Sequence, residues 1–440
     1  MSYERRVILR HSLASVVALG LTGLGRFLYS AMVARRFGLE ELGTANSLLS
    51  KAFFIAIPLS FFAVALGKYT SEFLGTRGQD SIRSMTLPSF LLPLTGLFLL
   101  PVNAYLGIIA ALRGVQLTLR SFLYGMHRGE HYAYIITLSF AGFLVGFLFQ
   151  NVFAPYLLFF GLIALFAAGY LVKFNLIGMP RGEEMRLLVS YSSFAFLGTL
   201  SGVFLVQGPY FMGEYLAGPE VAGNVSAILS TAFLLTYLPQ VLQSAMMPLF
   251  SYEYGRNEKN YVKLMAEETT SLLILIIAVV VFPLMFPGRE ILSATFGFDV
   301  GPAFYLGLMA VEVYIAYNPS IVALNATAYV RRGTLVALLG ASTALASWFY
   351  LIPAFGAMGV MMGLMFGYGV ILVGVAHYAR ILLGVSPRPY VSLAVALFLQ
   401  SLAFLSRYAP LVGLPLFLLY NRREVREGIS LLRSFRGRGP

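Results

Sequence analysis

Long apolar runs separated by short polar segments occupy nearly the whole chain. A membrane-spanning helix needs about 20 apolar residues, and most of the runs reach or approach that length. The pattern predicts an all-α polytopic membrane protein with about 14 transmembrane helices. The last two runs are short for full spans, which leaves tilted helices and a re-entrant hairpin open for them. The fourteen runs are Ser12–Ala34, Thr44–Leu66, Met85–Val102, Ala104–Tyr124, Tyr132–Phe149, Pro155–Phe174, Leu187–Phe211, Val221–Phe250, Ser271–Phe286, Pro302–Ala326, Thr334–Ile352, Gly356–Tyr378, Tyr390–Leu405 and Ala409–Tyr420.

Composition excludes several classes of protein. Hydrophobic side chains make up 58% of the 440 residues and charged ones 11%, whereas soluble domains carry about 25% charge. Cysteine is absent, so disulfides, thiolate nucleophiles and cysteine-ligated zinc are excluded. His127 and His131 are four residues apart, but no third ligand accompanies them, so we predict neither a metal nor a cofactor.

The net charge of +12 is informative about membrane topology. Nucleic-acid binding would need a basic face on a soluble module, whereas here the basic residues separate apolar segments. Most of the 31 lysines and arginines fall in alternate segments, and the positive-inside rule then places both termini in the cytoplasm. Residues 422–440 carry Val425, Ile429, Leu432 and Phe435 at helical spacing among six arginines. This segment suits either a helix on anionic lipids or a disordered basic tail.

An internal repeat appears when the chain is shifted by 180 residues. The segment that begins at Gly38 then matches the one that begins at Gly218 with 10 identities in 38 ungapped positions. Some identities are loop glycines and glutamates, where hydrophobicity cannot produce a match. Six spans separate the copies, so both run in the same direction. We expect two six-helix lobes, residues 1–180 and 181–380, then a short transmembrane pair at 381–421 and the basic tail at 422–440.

The segment Ala34-Arg35-Arg36-Phe37-Gly38-Leu39-Glu40-Glu41-Leu42-Gly43 and its echo at Gly218 to Gly223 resemble the multidrug/oligosaccharidyl-lipid/polysaccharide (MOP) exporter superfamily, and within it the polysaccharide or O-antigen flippase branch. The resemblance implies alternating access between two lobes and a polyprenyl-diphosphate-linked oligosaccharide as substrate. It also implies the plasma (inner) membrane, and we expect a monomer. The chain would then be a transporter and not an enzyme.

Cationic residues inside spans point to an anionic substrate. An arginine or lysine near the bilayer centre costs roughly 2.5 to 3.5 kcal/mol on insertion scales, so such residues usually face a cavity. Guanidinium forks suit a diphosphate, whereas snorkelling and bonds to backbone carbonyls are the structural alternative. Pro58 predicts a kink in the second span. The predicted cationic column comprises Arg120, Arg113, Arg26, Lys51, Arg35 and Arg36.

The second lobe offers mainly neutral polar groups, among which Gln207, Gln240 and Gln243 suit sugar hydroxyls, with helix-to-helix hydrogen bonding as the alternative. Glu312 is the one carboxylate deep in a predicted span. It is a candidate site for proton or sodium coupling, or else the counter-ion of Arg113 or Arg26. Mid-span glycines such as Gly142 and Gly363 predict close helix packing.

Two other functions compete with the flippase. A cation-coupled multidrug antiporter of the same superfamily would need acidic residues in its cavity, and a single buried glutamate against three buried cations argues against it. An integral-membrane glycosyltransferase would need a catalytic carboxylate or histidine in a large outer loop, and the predicted outer loops are short.

Overall fold

The computed structural model describes residues 3–75, 78–256, 258–327 and 329–426, with side chains undescribed at 3–13, 75, 194–195, 238, 241–245 and 248. Within these ranges the structure is all-α, with sixteen α-helices, three short 3-10 segments and no strand. The chain divides into two compact units, Met1–Ser226 and Ala227–Pro440. The predicted lobe boundary after residue 180 stays a prediction.

The first unit contains eight helices and most of a ninth. They are α1 (Tyr3–Phe37), α2 (Leu39–Leu59), α3 (Ala63–Gly75), α4 (Gln79–Leu91), α5 (Ala104–Gly125), α6 (Gly129–Gly146), α7 (Ala154–Lys173), α8 (Gly182–Ala217) and α9 (Pro219–Ala232). The second unit contains α10 (Tyr237–Gly255), α11 (Lys259–Phe296), α12 (Ala303–Asn325), α13 (Val330–Phe355), α14 (Ala357–Leu383), α15 (Arg388–Ser401) and α16 (Ala409–Tyr420). Each predicted apolar run falls on one or more of these helices.

The surface and the helix lengths are those of a multi-pass membrane protein. In the described part of the chain, nine helices are long and apolar enough to cross a membrane, or ten when the bent halves of α8 count as one span. Large apolar side chains such as Phe98 (83% exposed) and Leu405 (85%) lie on the outside, as expected for a surface that faces lipid. The number of crossings, predicted as about 14, stays a prediction.

The second span is broken where the sequence predicts it. α2 ends at Leu59, directly after Pro58, and α3 begins at Ala63. Proline removes a backbone donor and its ring clashes with the carbonyl of the preceding turn, so Pro58 explains the break. The helix is therefore interrupted next to Pro58, where the sequence predicts a kink.

Helix boundaries repeat with the 180-residue period found in the sequence. α1 and α8 end at Phe37 and Ala217, α2 and α9 begin at residues 39 and 219, and α3 and α10 end at residues 75 and 255. The linking glycines share one backbone conformation, with φ 93° and ψ 179° at Gly38 and φ 89° and ψ 175° at Gly218. Because only glycine adopts this region readily, the same turn is encoded twice.

The beginnings of α2 and α9 meet in a reciprocal contact. A Cβ placed on Gly43 would lie 1.9 Å from the carbonyl oxygen of Pro219, and one on Gly223 would lie 2.3 Å from that of Leu39. Residues 39 and 219, like 43 and 223, are equivalent in the repeat. The two copies therefore touch through the same two positions, as elements related by a two-fold axis do. This contact requires two glycines.

The mid-span glycines pack helices closely, as predicted. A Cβ on Gly142 would meet the side chain of Leu162 at 2.3 Å, and one on Gly363 would meet Trp348 at the same distance. The Trp348 indole is fully buried and donates to the carbonyl oxygen of Val360 at 2.9 Å. Gly363 thus makes room for the ring that joins α13 to α14.

The basic tail is described only at its start. Residues 422–426 are helical, and Glu424 lies 3.9 Å from the guanidinium of Arg388. The remaining tail, 427–440, lies outside the described residues, so both interpretations of its function stay predictions.

Candidate functional site

Two helices of the first unit, α2 and α8, bring polar groups to Arg26 of α1. Its guanidinium donates to the Gln207 side chain of α8 at 3.3 Å and to the Ser50 hydroxyl of α2 at 3.2 Å. The guanidinium carbon also lies 4.3 Å from the ring centre of Tyr210. These partners are all neutral, so they orient the cation and leave its charge uncompensated. Gln207 accepts this bond from Arg26, and its predicted contact with sugar stays a prediction.

Lys51, the residue after Ser50 on α2, forms an ion pair that the sequence did not reveal. Its ammonium lies 2.6 Å from the Glu214 carboxylate of α8, which also accepts from the Ser47 hydroxyl at 2.5 Å. The predicted span ended at Phe211, whereas α8 continues to Ala217. The spacing of residues 207, 210 and 214 places all three on one helical face, and that spacing was the available signal.

A second group of cations, Arg113 and Arg120, lies along α5. Arg113 donates to Gln116 at 2.5 Å, and the Gln116 amide in turn donates to the Tyr132 hydroxyl of α6. The Arg113 guanidinium also lies 5.0 Å from the ring centre of Phe53. Arg113 and Arg120 line a common small cavity of about 40 Å³ together with Thr22, which is one turn before Arg26 on α1.

Arg120 also lines a larger cavity of about 300 Å³ at the break between α2 and α3. Ser60 and Phe61 of the break form one wall, and Phe196 and Thr199 of α8 form another. Arg120 is therefore shared by two cavities. The described contacts fall into two groups, one around Arg26 and Lys51 (the upper group) and one around Arg113 and Arg120 (the lower group). Their order along a single column stays a prediction.

Arg35 and Arg36 lie at the exposed end of α1. The Arg36 guanidinium donates to the carbonyl oxygens of Phe147 at 2.7 Å and Phe149 at 3.3 Å. These carbonyls follow the end of α6, where helical acceptors lack partners within the helix. Arg36 therefore ties α1 to α6, and its contacts account for its position without a ligand.

The remaining predicted residues belong to the second unit. Gln240 is half-buried on α10, and Gln243 lies on the same helix with a side chain outside the described part of the structure. Glu312 is buried in α12 and accepts a hydrogen bond from Gln400 of α15 at 2.6 Å.

Solved structures share this architecture. A multidrug resistance MATE family transporter of the MOP superfamily, in an inward-facing conformation, superposes with a TM-score of 0.66 at 13% identity, over 84% of this chain and 98% of that one. The fold is that of the MOP-superfamily transporters. The lipid II flippase MurJ, in an inward closed conformation, matches with a TM-score of 0.62 at 11% identity, over 95% and 100% of the two chains.

A third neighbour from the MOP superfamily is a transporter from Pyrococcus furiosus, whose reversed binding-pocket polarity is described as suggesting a different function. It matches with a TM-score of 0.61 at 15% identity, over 86% of this chain and 95% of that one. No protein-family model and no curated protein sequence matches the chain. The chain therefore shares its fold both with a multidrug transporter and with a lipid II flippase.

Proposed function

We propose that this protein is a flippase that carries a polyprenyl-diphosphate-linked oligosaccharide from the inner to the outer leaflet. The observation that carries the proposal is Arg26, a cation inside a span that is oriented by Gln207, Ser50 and Tyr210. A guanidinium binds phosphate oxygens in pairs through its planar fork. An oriented cation with neutral partners is suited to such an anion.

Lys51 would supply the second charge of the upper group. Its pair with Glu214 is partly exposed, with 44% and 23% of the two side chains accessible, and exposed pairs are worth about 0.2 to 1 kcal/mol. A diphosphate carries more charge than one carboxylate, so it would displace Glu214 at little cost. Arg113 and Arg120 would receive the diphosphate at the inner side.

The shared fold is consistent with a lipid-linked substrate, because a lipid II flippase has it. For a substrate with about two negative charges, a potential of about 100 mV, negative inside, favours outward movement by roughly 4 to 5 kcal/mol. The membrane potential alone could therefore drive transport.

Native mass spectrometry of the purified protein tests the proposal. We expect the wild type to retain a polyprenyl-diphosphate saccharide and Arg26→Glu to lose it, because the new carboxylate repels the diphosphate. Arg186→Glu is the matched control, since Arg186 is an exposed cation at the other end of α8 and should leave retention unchanged. Retention of bulk phospholipid alone, unaltered by Arg26→Glu, would overturn the substrate class.

A cation-coupled multidrug antiporter is the second candidate. Its specific support is the buried carboxylate of Glu312 together with the MATE family transporters that share the fold. Efflux of an organic cation from proteoliposomes, abolished by Glu312→Gln and unaffected by Arg26→Glu, would establish this function in place of the flippase.

A further inference from the structure

A carboxyl and an amide meet in the interior of the second unit. Glu312 of α12 is 1% exposed and Gln400 of α15 is fully buried. The Gln400 side-chain nitrogen donates to Glu312 Oε2 at 2.6 Å. The contact joins the long buried helix α12 to the first helix of the C-terminal pair.

The two side chains lack one hydrogen-bond donor between them. Among the described residues, Glu312 Oε1 and Gln400 Oε1 are both buried and have no hydrogen-bond partner. Both atoms are acceptors when the carboxyl is ionised, so neither can satisfy the other. Buried polar atoms are nearly always hydrogen-bonded, and a buried carboxylate without a cation is strongly disfavoured.

A single proton on Glu312 Oε1 removes both deficits. The carboxyl and the amide are both planar groups with two polar atoms, so once one bond is in place a second, parallel bond needs only that the two planes align. The Glu312 hydroxyl then donates to Gln400 Oε1 while Gln400 Nε2 donates to Glu312 Oε2, which closes a ring of two hydrogen bonds. We propose that Glu312 and Gln400 form a proton-binding site that is occupied at neutral pH.

Among the residues that the structure describes, Glu312 contacts Gln400 and forms no ion pair. Tyr305, which stands near Arg289, Glu290 and Arg407, precedes Glu312 by seven residues, or about 10 Å along the helix. At the other end, the Ser320–Tyr390 hydrogen bond places the start of α15 about 12 Å away. In the described part of the chain, the ionisable side chains that neighbour α12 residues are Tyr237 of α10, Arg289 and Glu290 of α11, Tyr368 of α14, Tyr390 of α15 and Arg407.

A metal cation fits the site poorly. Hard cations such as Ca²⁺ and Mg²⁺ take about six or more oxygen ligands, and the pair offers two free oxygens. In the described part of the chain, no group of three or more histidine, aspartate and glutamate side chains could hold a metal ion. A proton needs only one donor bond and one acceptor, and the pair provides both.

Release of the proton to water would leave Glu312 of α12 ionised. The second hydrogen bond to Gln400 would be lost, which would weaken the contact between α12 and α15. Proton binding and release therefore act on the contact between these two helices. That this exchange is coupled to substrate movement rests on the proposed transport function, whereas occupancy of the site does not.

Infrared spectroscopy of the purified protein tests occupancy directly. At pH 7 we expect a carboxylic-acid carbonyl band that is lost in Glu312→Gln and kept in Glu290→Gln, whose side chain is about half exposed. Glu312→Gln retains the ring of hydrogen bonds as an amide pair, so it should fold. Gln400→Leu removes the acceptor, and we expect its acid band to shift in frequency.

Two results would overturn the proposal. An acid band that is identical in wild type and Glu312→Gln at pH 7 would show that Glu312 is ionised. A band that disappears on addition of sodium at constant pH would assign the site to that cation. Neither result depends on lipid retention. The retention experiment with Arg26→Glu can therefore reject the flippase while the proton site stands, and the infrared experiment can reject the proton site while the flippase stands.

Discussion

At the residue scale, the charges of the first unit differ in how they are held. Arg26 is fixed by three neutral partners on two other helices, whereas Lys51 is held by an acidic partner. A cation with neutral partners presents its full charge to a ligand. A cation in an ion pair presents its full charge only after its partner has moved. Arg26 is therefore suited to anchor a ligand, whereas Lys51 can exchange Glu214 for one.

Replacing Glu214 by glutamine tests the exchangeable role. The variant removes the competing carboxylate but keeps a hydrogen-bonding side chain beside Lys51 and Ser47. We expect affinity for a polyprenyl diphosphate to rise about 5-fold, since an exposed pair is worth up to about 1 kcal/mol. Titration of wild type, Glu214→Gln, Lys51→Gln and the double variant measures the coupling. Equal affinities in wild type and Glu214→Gln would contradict competition.

The loop between α11 and α12 should respond to acid. Asp299 accepts from the Arg289 guanidinium at 3.0 and 2.5 Å, and this partner, with the Gly301 amide, lowers the pKa of Asp299 to about 2. The unfolded value is about 3.9, so the carboxylate stabilises the folded loop above about pH 4, and this contribution is lost toward pH 2.

Asp299→Asn should therefore lower the unfolding temperature at pH 7 and have no effect near pH 2. The pair is largely exposed, with 37% and 60% of the side chains accessible, so the difference should stay below about 1 kcal/mol. Thermal unfolding in detergent from pH 7 to pH 2 measures it. A constant difference between the two proteins across this range would count against the ion pair as its cause.

At the element scale, the sequence predicts where helices run better than where they end. The 180-residue period anticipated the shared boundaries of α2 and α9, because the linking glycines Gly38 and Gly218 and the first-turn glutamates Glu40 and Glu220 repeat with the helices. The end of α8 was wrong by six residues, since a polar residue such as Glu214 lowers apolar content without interrupting a helix. That error hid the partner of Lys51.

The contact between α2 and α9 should tolerate no side chain at Gly43. A Cβ there would overlap the Pro219 carbonyl, and overpacking typically costs about 1 to 3 kcal/mol. Gly161→Ala is the matched control, because Gly161 is also helical and a Cβ there has open space. We expect thermal unfolding to show a loss for Gly43→Ala and no loss for Gly161→Ala. Similar stabilities would argue against a tight contact.

At the scale of the whole molecule, the orientation in the membrane is open to a simple test. The chain has no cysteine, so single cysteines can be placed without background. The positive-inside rule predicts that Leu148→Cys faces outward and Met179→Cys faces the cytoplasm; both side chains are at least 80% exposed. A membrane-impermeant maleimide added to intact cells should label only Leu148→Cys. Labelling of Met179→Cys alone would reverse the predicted topology.

The site was predictable in composition but not in arrangement. Charge inside an apolar run is costly, and such a charge can be recognised from the sequence alone. This is why Arg26, Lys51 and Arg113 stand out. Which neutral groups hold each cation depends on the lateral packing of helices that are distant in sequence, such as Arg26 on α1 and Gln207 on α8. Hydrophobic periodicity does not encode those neighbours.

The reciprocal contact of Gly43 with Pro219 and of Gly223 with Leu39 has an evolutionary consequence. A contact made twice through equivalent positions is what two identical short chains would form across a two-fold axis. An ancestral polypeptide of about half the present length could therefore have paired with itself through Leu39 and Gly43. Gene duplication and fusion would have joined the partners and freed each half to diverge, one toward cationic side chains and the other toward neutral ones.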